Sequence, residues 1–509
     1  MRGGRPATIV AAEAELVSKF FTPPPEPGRP RAMKVKVISR DEGDFTKKRS
    51  NDIARVHRNL APEEHPFERA REYKRASNAV KLDKVFAKPF IGALEGHMDG
   101  PSAVARNPKS LTTMVSGCHD GEIRIWHLPS RRTLTAFPGA HQMAVSGVCM
   151  SADAEHFLSC GIDATVKIWK YETEELSDIA VGVDGAQDHR AQESALLFSA
   201  SSDTMRNVTV PVSTYTSAHA LTGIDHQHGT RGVFATSGSK LDVWDVRRSE
   251  PVHSFEWGVD TVTNVRFNPV ETHIFASGAN DNSLMLYDLR AGTPIRKLVL
   301  ANKTNAVSWN PMEAFNFTSA NEDGRCYTYD MRRLDQALNV HADHVGPVMD
   351  VDYSPTGKEF VTGSFDRTVR IFERDSGRSR AVYHTKRMQR VFQVKFTQDS
   401  RFVVSGSDDT NLRVWKSNAS ANLRPLLHRE KVKRDYDEKL KERFKHAPDI
   451  KRIARHQHVP KKILNASRLE REMDNSRRRK EENRRKHDPK AASAPKRGFR
   501  KKNIVAQQK

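Results

Sequence analysis

Apolar and polar residues alternate in short runs through the middle of the chain, as in Glu122–Trp126 (Glu-Ile-Arg-Ile-Trp) and Thr368–Phe372 (Thr-Val-Arg-Ile-Phe). A period of two places alternate side chains on one face of a pleated strand, so each run predicts a short β-strand. The runs recur at regular distances along the chain. The pattern therefore predicts an all-β domain built from many similar units.

A longer phrase repeats together with these strands: a Ser or Thr, an Asp four residues later, and an aromatic residue six after the Asp. Successive aromatic residues of the phrase are 43, 75, 43, 42, 43 and 43 residues apart. One copy, Ser237–Trp244, lacks the Asp. The other copies are Ser116-Asp120-Trp126, Ser159-Asp163-Trp169, Ser277-Asp281-Tyr287, Ser319-Asp323-Tyr329, Thr362-Asp366-Phe372 and Ser405-Asp409-Trp415.

The spacing predicts seven units of 43 residues and one insertion of 32 residues. A unit of about 40–45 residues with four strands is typical of one blade of a β-propeller. Counting back from Trp415 puts the start of the array near Lys84, so we predict a propeller over residues 84–418. The insertion, about residues 172–213, has no clear period, and we expect an exposed loop on one face.

The repeated residues predict a hydrogen-bonded network inside each blade. Each blade would bury a Ser or Thr hydroxyl, the turn Asp, the aromatic residue and a His from the loop before the blade. Hydrogen bonds among these side chains would give their buried polar groups partners. The His is expected seven residues before a Val. This spacing selects four histidines, His97, His141, His341 and His384, which precede Val104, Val148, Val348 and Val391. We interpret the set as structural rather than catalytic or metal-binding. Its members are His97, Ser116, Asp120, Trp126, His141, Ser159, Asp163, Trp169, His341, Thr362, Asp366, His384, Ser405, Asp409 and Trp415.

The repeat resembles the WD40 superfamily of propellers, and Val243–Arg247 (Val-Trp-Asp-Val-Arg) carries the dipeptide for which that superfamily is named. The resemblance implies a ring closed by a strand from the N-terminal side, which joins the last blade. Lys88–Leu94 is the candidate closing strand. The predicted fold class is all-β, a seven-bladed WD-repeat β-propeller with a basic, mainly helical C-terminal extension.

Two segments precede the predicted propeller. Residues 1–32 are rich in Pro and Ala and are predicted to be disordered. Residues 33–83 are polar with sparse anchors such as Tyr73, and we expect an arm that packs on another surface. The four cysteines form no Cys-x-x-Cys pair and are expected to be buried in a reducing compartment. Because no apolar run approaches the ~18 residues that cross a bilayer, we expect an intracellular protein without a membrane partner.

The net charge of +21 lies mostly in one segment. Residues 424–509 hold 30 Lys/Arg and 12 Asp/Glu, a net charge of +18, which leaves +3 for the other 423 residues. Such a segment favours polyanionic partners, bound through their phosphates with a strong salt dependence. Its basic clusters also favour nuclear import. A solvated charge run without function is the alternative, and so much charge in one contiguous segment argues against it.

The basic segment is predicted to be mainly helical and to act as a flexible arm. Val432, Tyr436, Leu440 and Phe444 make one narrow apolar stripe, so this helix should lie against the propeller or a partner. Residues 464–487 are expected to form a highly charged helix. The residues predicted to bind RNA or another polyanion are Lys451, Arg452, Arg455, Lys461, Lys462, Arg477, Arg478, Arg479, Lys480, Arg484, Arg485 and Lys486.

The C-terminal segment resembles the suppressor-of-fibrillarin family. The similarity is strongest over His428–His446 and Ile450–His456. The resemblance covers about Met33–His487 and leaves out residues 1–32. The 172–213 insertion is longer than the family pattern suggests. Further similar stretches are Lys84–Phe90, Phe267–Thr272, Trp309–Phe315, Asp350–Phe360 and Tyr383–Met388.

This resemblance implies a nucleolar ribosome-assembly factor. Family members belong to the small-subunit processome and associate with box C/D small nucleolar RNA and the pre-ribosomal RNA that it guides. We therefore expect a non-catalytic scaffold of the nucleus and nucleolus. Its propeller would bind other processome proteins, and its basic segment would contact RNA and support small-subunit rRNA processing.

The resemblance also carries an alternative function. Some family members are described as substrate receptors of cullin-RING ubiquitin ligases, through a Trp-Asp-x-Arg box at the end of a blade's third strand. The Arg would project from the rim toward an adaptor protein, although the same motif is common in propellers that bind no ligase. The box is formed by Trp244, Asp245 and Arg247, with looser copies that end in Arg290 and Arg332.

An enzyme is the third class considered. The sequence contains no P-loop, no Gly-x-Ser-x-Gly, no His-Glu-x-x-His and no Cys/His set with metal-ligand spacing. We therefore predict no catalytic residue, no cofactor, no metal and no small-molecule substrate.

Overall fold

The computed structural model describes residues 65–171, 210–229, 232–256, 260–488 and 498–508. Residues 1–32, most of the predicted N-terminal arm and most of the predicted insertion lie outside these ranges. Seven antiparallel sheets follow one another along the chain, one for each repeat, and the predicted seven-bladed propeller is confirmed. The first strand of each blade contacts the first strand of the next, and blade 7 contacts blade 1, so the ring is closed.

Most strands of blades 1 to 4 have five to seven residues; the shorter ones are the outer strand of blade 2 and the first and last strands of blade 3. Blade 1 has β2–β5: Pro101–Arg106, Thr113–Cys118, Ile123–His127 and Arg132–Phe137. Blade 2 has β6–β9: Val145–Met150, His156–Gly161, Thr165–Lys170 and Ser213–Thr216. Blade 3 has β10–β13: Gly223–His226, Val233–Ser237, Leu241–Asp245 and His253–Phe255. Blade 4 has β14–β17: Val262–Phe267, Ile274–Ala279, Ser283–Asp288 and Pro294–Leu300.

Blades 5 to 7 follow without a long connection. Blade 5 has β18–β21: Thr304–Trp309, Asn316–Asn321, Arg325–Asp330 and Asn339–Ala342. Blade 6 has β22–β25: Val348–Tyr353, Glu359–Ser364, Val369–Glu373 and Ser379–Tyr383. Blade 7 has β26–β28: Val391–Phe396, Phe402–Ser407 and Leu412–Lys416.

The outer strand of blade 7 comes from the N-terminal side of the propeller. Strand β1, Phe90–Leu94, pairs antiparallel with β28, with Leu94 opposite Leu412. The pairing continues past the strand, because the Lys416 N–H donates to the Pro89 carbonyl at 2.8 Å. The prediction that Lys88–Leu94 closes the ring is therefore confirmed.

The hydrophobic core lies between neighbouring blades. Phe137, in the outer strand of blade 1, packs at ring-centroid distances of 5.5 Å from Phe157 and 5.1 Å from Trp169, both in blade 2. All three side chains are buried. The four cysteines are buried, as predicted. The aromatic residues of the repeat thus join each blade to the next, which explains why they recur at the period of one blade.

The antiparallel order gives the propeller two distinct faces. One face carries the turns between the second and third strands and the loops that lead into each blade, and we call it the turn face. The opposite face carries the loops between the third and fourth strands, including Asp245–Arg247 at the end of β12.

Four α-helices are described outside the propeller: α1, Glu68–Val85; α2, His428–Arg443; α3, Pro448–Arg455; and α4, Lys461–His487. Pro448 is the first residue of α3, where its missing N–H costs no hydrogen bond. None of the described helices is long and apolar enough to span a bilayer. A short 3₁₀ turn, Phe499–Lys501, and a final strand, β29 (Ile504–Gln508), complete the described chain.

The final strand joins the propeller. Strand β29 pairs antiparallel with β17, with Ala506 opposite Val299 and Ile504 opposite Leu300, and blade 4 therefore has five strands. The Ile504 side chain packs against the apolar core that blades 4 and 5 share. The sequence had predicted a flexible arm here; the described parts of the C-terminal extension are instead attached to the ring.

Candidate functional site

Blade 2 contains the complete predicted network. His141 Nε2 lies 2.8 Å from Ser159 Oγ, and the Trp169 indole N–H donates to the same oxygen at 2.9 Å. His141 Nδ1 lies 3.1 Å from Asp163. Burial lowers the pKa of His141 below its ordinary value even though the Asp163 charge acts to raise it. A neutral ring that donates to the carboxylate and accepts from the hydroxyl leaves none of these groups unpaired.

Blade 1 contains a similar network, in which a different acid lies near the His without a hydrogen bond to it. His97 Nε2 lies 2.6 Å from Ser116 Oγ, to which Trp126 also donates at 2.7 Å. The carboxylate near His97 is Glu122, with Oε2 3.4 Å from Nδ1. Asp120 instead accepts the backbone N–H of Glu122 and shapes the turn. The predicted role of Asp120 as the partner of the His is therefore corrected.

In blade 6 the structure corrects the predicted His. His344, and not His341, bonds to Thr362 at 2.7 Å and to Asp366 at 2.9 Å. His341 lies on β21 of blade 5, where its Nδ1–H donates to the Ser376 carbonyl at 2.7 Å. Burial lowers the pKa of His341 to about 4, so its ring is neutral near pH 7.

Blade 7 also departs from the prediction. Trp415 donates to Ser405 at 2.8 Å as expected, but Asp409 pairs with Arg413. His384 lies outside this network; its ring stacks on His458 of the C-terminal extension, with centroids 5.5 Å apart.

One error of register explains both misassigned histidines. In blades 1, 2 and 6 the His of the network lies seven residues before the fourth residue of the blade's first strand. These fourth residues are Val104 in β2, Val148 in β6 and Val351 in β22. The prediction used Val348 and Val391, which are the first residues of β22 and β26. The spacing was informative, but the strand boundary needed to apply it was not visible in the sequence.

Blades 3, 4 and 5, which lack a matching His, use other contacts. Trp244 donates to Thr236 at 2.9 Å, one residue before the predicted Ser237. Asp281 of blade 4 pairs with Lys297 at 3.0 Å. Asp323 of blade 5 accepts the Tyr327 hydroxyl at 2.7 Å. These contacts pair the buried polar groups within each blade. The described residues contain no group of three His, Cys, Asp or Glu side chains that could hold a metal ion.

The Trp-Asp-x-Arg box lies at the end of β12 in blade 3, and its two looser copies end the third strands of blades 4 and 5. In each, the Asp accepts the backbone N–H of the Arg two residues later, at 2.9 to 3.0 Å. The side chains of Arg247 and Arg290 are exposed and make no hydrogen bond or ion pair with the described residues. Arg332 is held differently, because it forms two hydrogen bonds to Asp330 and lies 4.3 Å from the Phe315 ring centroid.

The predicted polyanion-binding residues all lie on α3 and α4 and are exposed, except for Arg485, which is half-buried. Helix α4 has no buried residue over its 27 positions. Arg478 and Arg484 each lie 4.0 Å from an acid four residues away, and Arg485 lies 3.5 Å from Glu481. Arg477, Arg479, Lys480 and Lys486 make no ion pair with the part of the chain that the structure describes.

The first anchor of the C-terminal extension is a small helical core. Leu440 of α2, Phe444 directly after it and Ile450 of α3 are buried against Ala76 and Val80 of α1. The apolar stripe on α2 therefore packs on the helix that precedes the propeller. The matching stripe on α1, Tyr73, Ala76 and Val80, was the signal in the sequence that could have identified this partner.

The second anchor is Arg325, at the start of β20 on the turn face. It pairs with Asp474 of α4 at 3.0 Å, and its guanidinium lies 5.5 Å from the Phe499 ring centroid. The third anchor is β29, where the Asn503 carbonyl accepts the Ala301 N–H at 2.8 Å. In sequence, the basic cluster Arg477–Lys486 lies between Asp474 and Phe499, the two residues that Arg325 contacts. No local pattern of residues predicts this arrangement.

Comparisons with known proteins agree with this organisation. The Sof1-like domain model matches residues 417–504, and the model of the WD domain, G-beta repeat, matches residues 88–127, 131–170, 249–288, 336–373 and 379–416. DDB1- and CUL4-associated factor 13 of Homo sapiens is 47% identical over 474 residues, which cover 93% of this chain and 99% of that protein. The Xenopus laevis protein of the same name is 46% identical over the same shares. Protein SOF1 of Saccharomyces cerevisiae is 44% identical over 466 residues, 89% of this chain and 91% of that protein.

Proposed function

Because the chain belongs to the Sof1-like family of WD-repeat proteins, we propose that it is a non-catalytic assembly factor of the small ribosomal subunit. In this proposal it acts in the small-subunit processome of the nucleolus and supports rRNA processing. The propeller binds other processome proteins. The C-terminal extension contacts pre-ribosomal RNA and box C/D small nucleolar RNA.

The observation that carries the RNA contact is the exposure of the cations on α4. Arg478 and Arg484 have side chains that are 71% and 78% exposed, and their ion pairs at 4.0 Å are too open to neutralise them. Arg477 to Lys480 are consecutive and therefore point in four directions around the helix. This stretch of α4 is charged on all sides and has no apolar face to bury in protein, but phosphates can approach it from any side. We infer a contact that follows the RNA backbone and carries little sequence information.

The test is to replace Arg477, Arg478, Arg479 and Lys480 with Gln in the full chain. We expect weaker RNA binding, because each lost phosphate contact reduces the slope of log K against log salt by about 0.7 for a single strand. The matched control replaces Lys431, Lys433, Arg434 and Lys439 of α2, which removes the same charge from the same extension. Electrophoretic or anisotropy titrations at several salt concentrations measure the slope, and crosslinking in cells measures association with small-subunit precursors.

These substitutions are a sharper test than removing the extension. A truncation after Leu423 would also expose Ala76 and Val80, which α2 and α3 bury. Equal losses in both four-residue variants would mean that only total charge matters. Unchanged salt slopes and unchanged crosslinking in the α4 variant would contradict the proposal.

A second candidate function is substrate recruitment to a cullin-RING ubiquitin ligase. Two observations favour it: relatives carry the name DDB1- and CUL4-associated factor 13, and Arg247 has an exposed side chain at the end of β12. We expect Arg247→Ala to weaken copurification with a DDB1-type adaptor, and Arg290→Ala to act in the same direction. Arg332→Ala is the control, because Asp330 and Phe315 already engage that side chain. Full copurification of the Arg247→Ala protein would exclude this box as the contact.

A further inference from the structure

Three aromatic side chains from adjacent blades meet at the turn face of the propeller. The Phe392 ring, in β26 of blade 7, lies 5.6 Å from the His119 ring of blade 1 and 6.0 Å from the Phe365 ring of blade 6. Both contacts are edge-to-face, with interplanar angles of 84° and 78°. His119 is exposed, and the two phenylalanines are half-buried. We call these three residues the aromatic row.

A shallow cavity, open to solvent on one side, lies beside the row. It has a volume of about 270 Å³ and lies between Phe365 and the first turns of α4, where Lys462, Ile463 and Ala466 form the other wall. Pockets for drug-sized ligands usually measure about 300–1,000 Å³. This open cavity lies below that range, and with an aromatic ring on one side and a lysine on the other it has room for one planar base rather than a larger ligand.

Cations lie at the Phe365 end of the row and around the cavity, whereas the His119 end also carries the exposed carboxylates of Asp99, Asp120 and Asp408. The Arg390 guanidinium lies 5.2 Å from the Phe365 ring centroid. Arg367, Lys386 and Arg387 are exposed on the neighbouring turn and loop, and Lys462 lines the cavity. The carboxylate that also lines the cavity, Asp366, is paired with His344 at 2.9 Å. Asp408 lies beyond Phe392, next to Gly100 of the loop that leads into blade 1.

We propose that the aromatic row and the adjoining cavity form a binding site for single-stranded RNA, separate from the cation cluster Arg477–Lys486. Proteins that hold single strands combine a positively charged surface with rings on which bases stack. In a duplex the bases are already stacked and paired, so a site for one unpaired base discriminates against it. The identity of the polymer rests on the proposed function, whereas the preference for unpaired bases comes from this site alone. The propeller then contributes to RNA recognition rather than serving only as a support.

The test uses the full chain and a fluorescent mixed-sequence RNA of about 12 nucleotides, as a single strand and as a duplex. We expect Phe365→Ala to weaken binding of the single strand at least about fivefold and to leave the duplex unchanged, because a stacked base is lost. Arg390→Gln should act in the same direction with a smaller effect. Ile162→Ala is the matched control, since Ile162 occupies the same turn position in blade 2 and its side chain is 44% exposed.

Each outcome separates this inference from the proposed function. If Phe365→Ala and Arg390→Gln bind both RNAs like the unsubstituted protein while the α4 variant loses binding, the aromatic row is not an RNA site and the proposed function stands. If the row variants lose the single strand while the α4 variant binds normally, the row stands and the role of α4 falls. If the row variants bind RNA normally but lose a protein of the particle, the surface is a protein contact and the inference is wrong. Should Phe365→Ala fail to fold, Arg390→Gln, which changes an exposed side chain, decides the question.

Discussion

The propeller and the C-terminal extension are built on opposite principles, although they belong to the same chain. The propeller, residues 84–418, holds a net charge of −3 and buries Trp126, Phe157, Trp169 and Trp415 to 2% exposure or less. In the extension α4 buries nothing, and α2 and α3 each bury one residue within their bounds. The propeller is stabilised by repeated contacts between its own blades. The extension is held at a few points, and its charged side chains stay in water.

The difference explains how a basic helix can be both exposed and positioned. A charged side chain loses its hydration when it is buried, so a binding helix rich in Arg and Lys is best left without a core of its own. Its position must then be set elsewhere in the chain. Here the helical core on α1, the contacts of Arg325 and the added strand β29 position α4 from both sides. The predictions below test this division, from the largest expected effect to the smallest.

Removing one large side chain of the propeller core should have the largest effect. We expect Trp169→Ala to reduce the free energy of unfolding by about 3–5 kcal/mol, because the indole fills the space between blades 1 and 2 and satisfies Ser159. Leu469→Ala on α4, where the side chain is 59% exposed, should change it by less than about 0.5 kcal/mol. Chemical denaturation followed by tryptophan fluorescence and circular dichroism measures both. Comparable losses in the two variants would contradict the contrast between the regions.

Acid should destabilise the propeller through its buried histidines. Burial lowers the pKa of His341 from 6.5 to about 4, so the unfolded chain binds the proton more readily than the folded one. The contribution of the neutral His341 ring to the free energy of unfolding is therefore fully present above pH 6.5. It is lost as the pH falls toward 4, and the loss for this residue is about 3 kcal/mol. Burial lowers the pKa values of His141 and His344 as well, which acts in the same direction.

The measurement is the midpoint of thermal unfolding between pH 7.5 and pH 5. We expect His341→Gln to unfold at a lower temperature near neutral pH but to show a shallower dependence on pH. His219→Gln is a suitable control, since this side chain is exposed in the loop before β10 and belongs to no blade network. An equal pH dependence in the unsubstituted and His341→Gln proteins would exclude His341 as a source of the effect.

Loosening the helical core should affect the extension without unfolding the ring. Leu440→Ala removes a side chain that is 4% exposed and packs between α1 and α2. We expect a local loss of about 2–3 kcal/mol, at the lower end for such a substitution because two helices can move together more easily than a sheet can. Limited proteolysis should cut the extension faster while the propeller fragment stays intact. Simultaneous loss of both regions would show that they unfold as one unit.

The smallest effect on stability is expected at Arg325. Arg325→Ala removes the ion pair to Asp474 and the contact with Phe499, which together contribute about 1 kcal/mol, because Asp474 is 43% exposed. The consequence for RNA binding should exceed this value, since the α4 cluster is no longer held at a defined position. Hydrogen exchange of α4 and an RNA titration measure the two effects. Arg333→Ala, on the same blade, serves as the control.

The sequence alone determined the number of blades, the closing strand and the location of the positive charge. Each of these is a local or compositional property: a blade is a unit of four consecutive strands, so its period appears in the sequence directly. The blade networks were predictable only where the strand register was known. For that reason His141 was identified correctly, whereas His341 was chosen in place of His344.

Only the tertiary structure decided what the C-terminal extension touches. The stripe on α2 showed that this helix needs a partner, but the partner, α1, lies more than 350 positions earlier in the chain. The short stretch Ile504–Gln508 has no strong pattern of its own and becomes a strand because β17 offers an unpaired edge. The aromatic row combines residues from three blades that are far apart in sequence. Closing the ring brings such distant residues together, and no local pattern of residues records which of them will meet.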